Sequence, residues 1–348
     1  MYTPAFTISP GLLTNVEHIG RILGFLQAVQ LPGIYARELL ATVEAEIVHA
    51  STAIEGNTLT QEQVTQVLAG LPVQALRRDI QEVKNYQATL VYIHAIADHT
   101  TAFTHQTILE LHYRLLQGVD NTLAGRYRTG FVRVGEYLPP DPFLVHPLMD
   151  DLLAWMNTPT PAGYSHLLYA GIVHYQFVAI HPFADGNGRT ARALTTLYLL
   201  RNGYDITRSF ALETHYNRDR AAYYAALHAA DTATGPSGER DLTPWLEYFV
   251  AALLVEARGA ESRIRTYLAA TDAQTATRLT ATRLTATQRA ILQAAAERGV
   301  VSSAELAPLL GLSPRGVRKA LSQLVALGLL VRQGEKRGAV YRPSAAER

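Results

Sequence analysis

The sequence predicts a mainly α-helical fold with a small mixed unit at its C-terminal end. Three observations carry this. Runs with apolar residues at helical spacing, bounded by glycines and capping residues, recur along the first 270 or so positions. Strand-forming stretches are short and few, one near 131–137 and two within the last twenty-odd residues. Charge also divides along the chain: residues 289–348 carry ten Arg or Lys against four Asp or Glu, a balance of +6, and everything before them sums to −5.

Each element has its own signal. Residues 34–55 place Leu39, Leu40, Val43, Ile47 and Ile54 on one stripe, and Gly56-Asn57 ends the run. Thr60 and Gln63 stand at capping-box spacing and open a further helix. Apolar spacing then predicts helices at about 78–98 and 105–117. Gly125 to Gly130 interrupts the pattern, Phe131 to Tyr137 is strand-forming, and Pro139, Pro140 and Pro142 exclude helix directly beyond it, so a short β-hairpin is expected. Helices follow at 145–157, at 164–180 as a buried apolar run, and at 191–202 with Gly203 as the stop signal. Residues 240–268 read as a long helix with Trp245, Tyr248, Phe249 and Leu253 on its apolar side. Thr275–Leu279 repeats as Thr280–Leu284, a threonine-rich tandem that suits a linker. Three helices end the chain, at 287–298, from Ser302 onward, and at 314–327 behind the cap Ser313. Two strands near 328–332 and 339–342 flank Gly334 to Gly338.

The expected organisation is an N-terminal helical region (1–100), a core (101–270), a linker (271–284) and a C-terminal unit (285–348). The chain has no cysteine, which excludes disulfides and thiolate metal sites. It has no G-x-x-x-x-G-K loop, no signal-peptide layout at residues 1–10, and no apolar run approaching the ~20 residues that span a bilayer. A cytoplasmic protein without membrane attachment is the expectation.

The densest chemistry lies in His181-Pro182-Phe183-Ala184-Asp185-Gly186-Asn187-Gly188-Arg189-Thr190-Ala191-Arg192. The glycines let successive N–H groups line one concavity, and a helix N-terminus behind them makes an anion cradle. Arg189 and Arg192, three apart, share a face of the first helical turn and aim two cations at one place. Asp185 is a hard oxygen ligand suited to magnesium on a polyphosphate, and His181 at the mouth can accept a proton from a hydroxyl. Base, metal carboxylate, phosphate nest and two arginines are the parts of phosphoryl or nucleotidyl transfer. His166, His174 and His181 are spaced for one helix face without a supporting ligand cluster, so no zinc site is expected there.

This stretch resembles the signature of the Fic (Fic/Doc) family, H-x-F-x-[DE]-G-N-G-R-x-x-R, at every defined position. The resemblance covers roughly residues 34–255. It implies a Fic-type helical bundle and transfer of AMP from Mg-ATP (or Mn-ATP) to a Ser, Thr or Tyr hydroxyl of a protein target, or of the enzyme itself. His181 would be the base. Asp185 would hold the metal, Gly186, Asn187 and Gly188 would cradle the phosphates, and Arg189 and Arg192 would neutralise developing charge. Ser51 to Asn57 resembles the family's inhibitory motif, [ST]-x-x-x-E-[GN], with Ser51 and Glu55 one turn apart and Glu55 expected to reach Arg192. Phe131 to Tyr137 resembles the family's flap, in which Val132, Arg133, Val134 and Gly135 lie over the nucleotide and pair with an extended target. Tyr223 and Tyr224 are candidates for stacking on the adenine, with core packing as the competing reading. Relatives often dimerise, so a homodimer is a candidate assembly.

The C-terminal unit resembles a winged helix-turn-helix, with Arg315, Arg318 and Lys319 on its third helix and Arg332, Lys336 and Arg337 on the hairpin. Those positions suit DNA, and a protein-interaction module of the same shape is the alternative. Two other functions remain open: a DNA-binding regulator whose core senses nucleotide, and a transferase using another phosphate-containing donor.

Overall fold

The computed structural model describes residues 2–99, 102–160, 164–235, 238–281, 284–334 and 339–344, with backbone alone over 272–281. Among these are fourteen α-helices: α1 (Pro10–Ala28), α2 (Gly33–Ile54), α3 (Gln61–Leu68), α4 (Arg77–Ala97), α5 (His105–Leu116), α6 (Val145–Met156), α7 (His166–Ile180), α8 (Asn187–Arg201), α9 (Leu212–Arg218), α10 (Arg220–Thr232), α11 (Thr243–Ala281), α12 (Ala286–Arg298), α13 (Ser303–Leu309) and α14 (Pro314–Ala326). Strands β1 (Val301–Ser302), β2 (Leu330–Gln333) and β3 (Val340–Pro343) form one antiparallel sheet in the order β1-β3-β2. The chain divides into two compact units, 1–30 with 34–261, and 31–33 with 262–348. Residues 2–30 and 34–99 fall in the same unit as the stretch that follows them, through 261.

Local sequence explains where the helices begin. Ser9 caps α1 with Pro10 behind it, a start signal in a stretch to which the sequence reading assigned no element. Thr60 and Gln63 form the expected capping box on α3, and Thr104 and Thr107 make another on α5. Gly186, at φ 77°, is the N-cap of α8, so this helix starts four residues before the expected 191 and takes Asn187 to Thr190 into its first turn.

The centre of the first unit is the antiparallel pair α7 and α8, whose residues are buried nearly all round. Leu194 and Leu197 are fully excluded from water, worth about 1.5–3 kcal/mol each. The threonines of α8 survive burial because Thr190 and Thr195 donate to carbonyls one turn back, Gly186 and Ala191. On the other side of α7, Trp245 of α11 is fully buried and its Nε1 donates to the Gly171 carbonyl at 2.7 Å. Gly171 is what lets the two helices approach, since a methyl there would lie 2.9 Å from both Leu246 Cδ2 and Phe249 Cδ1.

One expectation narrows and another changes. The hairpin expected at 131–137 is a minimal one: Val134 and Tyr137 form a single antiparallel bridge, exchanging backbone hydrogen bonds of 3.0 and 2.9 Å around Gly135 at φ 57°. Arg133 folds back onto the Gly135 carbonyl and Glu136, which spends its side chain on the turn. The 271–284 stretch is helical through Ala281, because Thr, Ala, Arg and Leu contain no helix breaker to end α11 at 268.

In the second unit, α12, α13 and α14 and the sheet enclose a core of Ile291, Ala295, Val301, Leu306, Val317, Leu321, Leu324, Leu330 and Tyr341. Ser302 and Glu305 form a capping box on α13, and Ser313 caps α14. Lys336 and Arg337, expected on the hairpin, lie outside the described residues.

The close approach at Gly171 yields a stability prediction. Gly171→Ala should cost about 1–3 kcal/mol by overpacking and lower the melting temperature by several degrees. A thermal melt indistinguishable from the wild type would show that α7 and α11 do not depend on this contact.

Candidate active site

The loop between α7 and α8 is built around a residue in an unusual conformation. His181 closes α7 in the left-handed region (φ 51°, ψ 58°), and no other described non-glycine residue has positive φ. Such strain persists only where neighbours enforce it, and here Arg128 does so. Its buried guanidinium donates to the carbonyls of His181 (2.8 Å), Gly130 (3.1 Å) and Pro140 (2.6 Å), and its backbone N–H donates to Pro182. A cation among the last carbonyls of α7 also complements the helix dipole.

The rest of the loop is closed by its own side chains. Asn187 accepts from the Phe183 N–H and donates to the Phe183 carbonyl, both at 2.8 Å. His112 of α5 lies parallel to the Phe183 ring, with centroids 3.6 Å apart. Its Nε2–H donates to the Asp185 carbonyl at 2.9 Å, and its Nδ1 accepts from the Gly125 N–H at 3.0 Å. Gly186 cannot carry a side chain: beyond its positive φ, a methyl would lie 2.6 Å from Leu116.

The His181 ring is held by a hydrogen bond from Nδ1–H to the Val178 carbonyl, 3.2 Å. That contact fixes the neutral tautomer with Nε2 unprotonated. Burial lowers the pKa of this histidine, and Arg128 lowers it further, against the opposing pull of the Val178 carbonyl and the Glu55 and Asp185 carboxylates. A ring kept neutral with its free nitrogen at the cleft mouth is what a general base requires.

The two arginines do not converge as their spacing suggests. Arg189 lies between Glu82 of α4 (Nη1 to Oε1, 3.2 Å) and Asp185 (Nη2 to Oδ1, 3.5 Å). Arg192 turns instead to the end of α2. Its Nε donates to Ser51 Oγ at 2.7 Å, and Nη2 donates to the Ser51 carbonyl and to Glu55 Oε1, each at 2.8 Å. Both guanidiniums are buried, yet among the described residues Nε of Arg189 and Nη1 of Arg192 have no hydrogen-bond partner, and Nη1 of Arg189 meets Glu82 as an ion pair without a formed hydrogen bond. A phosphate oxygen is the complement such donors lack. The Glu55 carboxylate also lies against Gly188: any side chain at that position would strike Oε1, and a methyl would sit 3.1 Å from Arg192 Nη1. An anionic group thus already rests at the N-terminal turn of α8.

Residues outside the signature hold Glu55 there. Asn57 donates from Nδ2 to Glu82 Oε2 and to the Asp79 carbonyl, both at 3.0 Å, and Thr58 bonds Asp79 through its N–H and hydroxyl. Glu82 therefore ties the end of α2, helix α4 and Arg189 into one cluster. Asp185 is partly exposed at its rim, with Arg78 Nη2 3.7 Å from Oδ2. Buried Glu213 of α9 lies near Arg192, and burial pushes its carboxyl up to about 7.

A cleft of about 630 Å³ opens from this cluster, lined by Glu55, Val134 to Tyr137, Tyr175, His181, Gly188, Arg192, Tyr223, Tyr224 and Asp231 among others. That volume suits a nucleotide-sized ligand. Val134 and Gly135 border it, whereas Val132 and Arg133 do not. Tyr223 is packed against Tyr216 (4.5 Å between centroids) with its hydroxyl on His174 Nε2 at 2.9 Å, so it belongs to the core as well as the wall. Tyr224, 47% exposed, is the freer aromatic surface. His166 and His174 are engaged with hydroxyls of Tyr198, Thr195 and Tyr223.

Sequence reading missed Arg128, His112, Glu82 and Asn57. Arg128 and His112 carry no local motif because their partners lie 53 and 73 positions away. Asn57 sat inside the stretch compared with the inhibitory motif, and its amide partner Glu82 is 25 positions on.

The Fic/DOC family profile matches residues 102–199. A solved Fic family protein from Desulfovibrio desulfuricans is 31% identical, with a TM-score of 0.64 over 99% of each chain. Protein adenylyltransferase fic-1 of Caenorhabditis elegans is 33% identical over 228 residues, 64% of this chain and 41% of that protein. Protein adenylyltransferase Fic of Aedes aegypti is 37% identical over 224 residues, 58% of this chain and 45% of that one. The chain spans less than half the length of these curated relatives.

Buried neutral histidines make the fold acid-sensitive. Burial lowers His112 to about 4, and burial assisted by Arg192 lowers His174 to about 3, whereas an unfolded histidine titrates near 6.5. Below about pH 6.5 the unfolded chain takes up protons that the folded one refuses, so stability is full above that pH and falls continuously toward about pH 3. Denaturant midpoints at about pH 7 and about pH 4.5 should differ clearly. Equal midpoints would show these rings protonate freely in the folded state.

Proposed function

The chain belongs to the Fic family, and on that premise we propose that it is an autoinhibited protein adenylyltransferase acting in the cytoplasm. It moves AMP from ATP to a Ser, Thr or Tyr hydroxyl of a protein, its own chain included. The observation that carries this reading is the pairing of a neutral, oriented His181 with buried arginine donors that lack partners, at the head of one nucleotide-sized cleft.

In this mechanism the target hydroxyl approaches His181 Nε2, which takes its proton as the oxygen attacks the α-phosphorus. A bond from that oxygen to phosphorus forms, the bond from phosphorus to the bridging oxygen breaks, and pyrophosphate leaves. The first-turn N–H groups of α8 receive the phosphates, and Arg189 offsets the growing negative charge. Asp185, an oxygen donor at the rim, is the residue suited to a magnesium or manganese ion, which when bound supplies charge neutralisation on the phosphates. Tyr224 offers an exposed face for the adenine ring, and the Val134–Tyr137 turn offers backbone groups to an extended target segment.

Glu55 restrains this reaction. Its carboxylate holds Arg192 and rests on Gly188, so it competes with the terminal phosphate for the same guanidinium and the same helix end. A charge-assisted hydrogen bond is worth about 1.5–3 kcal/mol, which biases the competent pose by roughly ten- to a hundredfold. The second unit reads as a winged helix that binds DNA. Arg315, Arg318 and Lys319 are exposed on α14, opposite its buried face of Val317, Ala320, Leu321 and Leu324. A homodimer remains a candidate assembly.

Glu55→Gly should raise label transfer from α-labelled ATP into protein by about ten- to a hundredfold. His181→Ala in that background should abolish transfer while ATP still binds. Label arriving from γ-labelled ATP instead would replace AMP transfer with phosphorylation. No transfer from either position would favour a nucleotide-sensing regulator. Equal activity of the wild type and Glu55→Gly at saturating ATP would reduce Ser51 to Asn57 to a helix end.

The full chain should shift duplex DNA at low salt, with affinity falling steeply as salt rises. Arg315→Ala with Lys319→Ala should weaken the shift. Absence of any shift at low salt would leave protein interaction as the role of this unit.

A further inference from the structure

Away from the nucleotide cleft, three side chains with metal-ligating atoms meet on one face of the first unit. His105 is the first residue of α5, and His146 and Asp150 stand one turn apart on α6. One ligand atom from each lies within 4.8 Å of the other two. His105 Nε2 is 2.8 Å from Asp150 Oδ1, and the His146 ring lies 4.9 Å from the His105 ring, centroid to centroid. We propose that His105, His146 and Asp150 form a binding site for a divalent transition-metal ion, zinc foremost, that clamps α5 to α6.

The donor set selects the ion. Two imidazoles and one carboxylate suit zinc and its neighbours, whereas magnesium and calcium favour oxygen-only shells. Zinc bonds of about 2.0–2.2 Å in a tetrahedron place ligand atoms about 3.3 Å apart. The 2.8 Å contact must therefore open slightly and the wider separation must close. His146 and Asp150 are both exposed on α6, so side-chain rotation achieves this without moving a helix.

The back of His105 supplies an independent observation. Its Nδ1 lies 2.9 Å from the Tyr127 hydroxyl, the outer hydrogen bond that fixes a metal-binding imidazole with its other nitrogen toward the ion. Tyr127 belongs to the segment that carries Arg128, and its ring packs 5.3 Å from Phe183 of the active-site loop. The cation would thus brace the segment that enforces the His181 conformation. It takes no part in the transfer chemistry. Tyr127 and His146 also help to line a surface cavity of about 680 Å³, through which water and the ion could reach the site.

Cobalt, then zinc, titrated into the chelator-treated full chain with magnesium saturating tests the site. One cobalt per chain with a visible absorption band, displaced by zinc, is expected. His146→Ala and Asp150→Asn should each weaken binding at least tenfold, and Tyr127→Phe by less. Zinc should also slow amide exchange across 125–131 in the wild type and not in His146→Ala. Undiminished cobalt affinity in both variants, or no saturable binding, would overturn the site. Saturable binding without any change in exchange would overturn the clamp.

Discussion

Two cations buried one helical turn apart govern the architecture of this protein. Arg189 and Arg192 sit on a helix whose other residues are packed from every side. An unpaired guanidinium at that depth would cost several kcal/mol, so each needs a carboxylate delivered from elsewhere. Glu82 arrives on α4 and Glu55 in the turn that follows α2, and Asn57 joins the two deliveries by bonding Glu82. Charge compensation thus dictates which helices surround α8. The same packing leaves Arg189 Nε and Arg192 Nη1 without a hydrogen bond among the described residues.

A second constraint acts on the same loop from the opposite side. His181 is held in the left-handed region, a conformation worth of order 1–3 kcal/mol in strain. Arg128 offsets that cost with carbonyl bonds, and the left-handed turn swings the ring across the cleft mouth instead of along α7. His112, neutral and stacked on Phe183, fixes the loop's outer wall. The His181 ring and the first turn of α8 therefore rest on two separate sets of supports, one from α5 with the 125–131 segment and one from α2 with α4.

The contact of Arg192 with the end of α2 follows from these supports. Ser51 lies in the last turn of α2 and Glu55 directly after it, so the serine takes two bonds from Arg192 and the glutamate a third. Ser51 is fully buried, whereas Glu55 retains 26% of its side-chain surface. Of the three bonds that seat Arg192, the two to Ser51 are buried and the one to Glu55 is the most open to solvent.

Amino-acid order alone determined most of the helices, though not α1, and named the candidate residues His181, Asp185, Arg189, Arg192 and Glu55, because helical periodicity, capping and the signature stretch are encoded within a dozen neighbouring positions. It also located the C-terminal unit through its charge and its caps Ser302 and Ser313. The hairpin at 131–137 was legible from its strand-forming residues, but its extent was not: pairing is confined to the one bridge between Val134 and Tyr137. The reach of Arg189 and Arg192 to different helices, the staples Arg128 and His112, and the bridge through Glu82 were decided by tertiary structure. Their partners are separated by tens of residues, and no local pattern records which buried carboxylate or carbonyl will complete a charge brought in by packing.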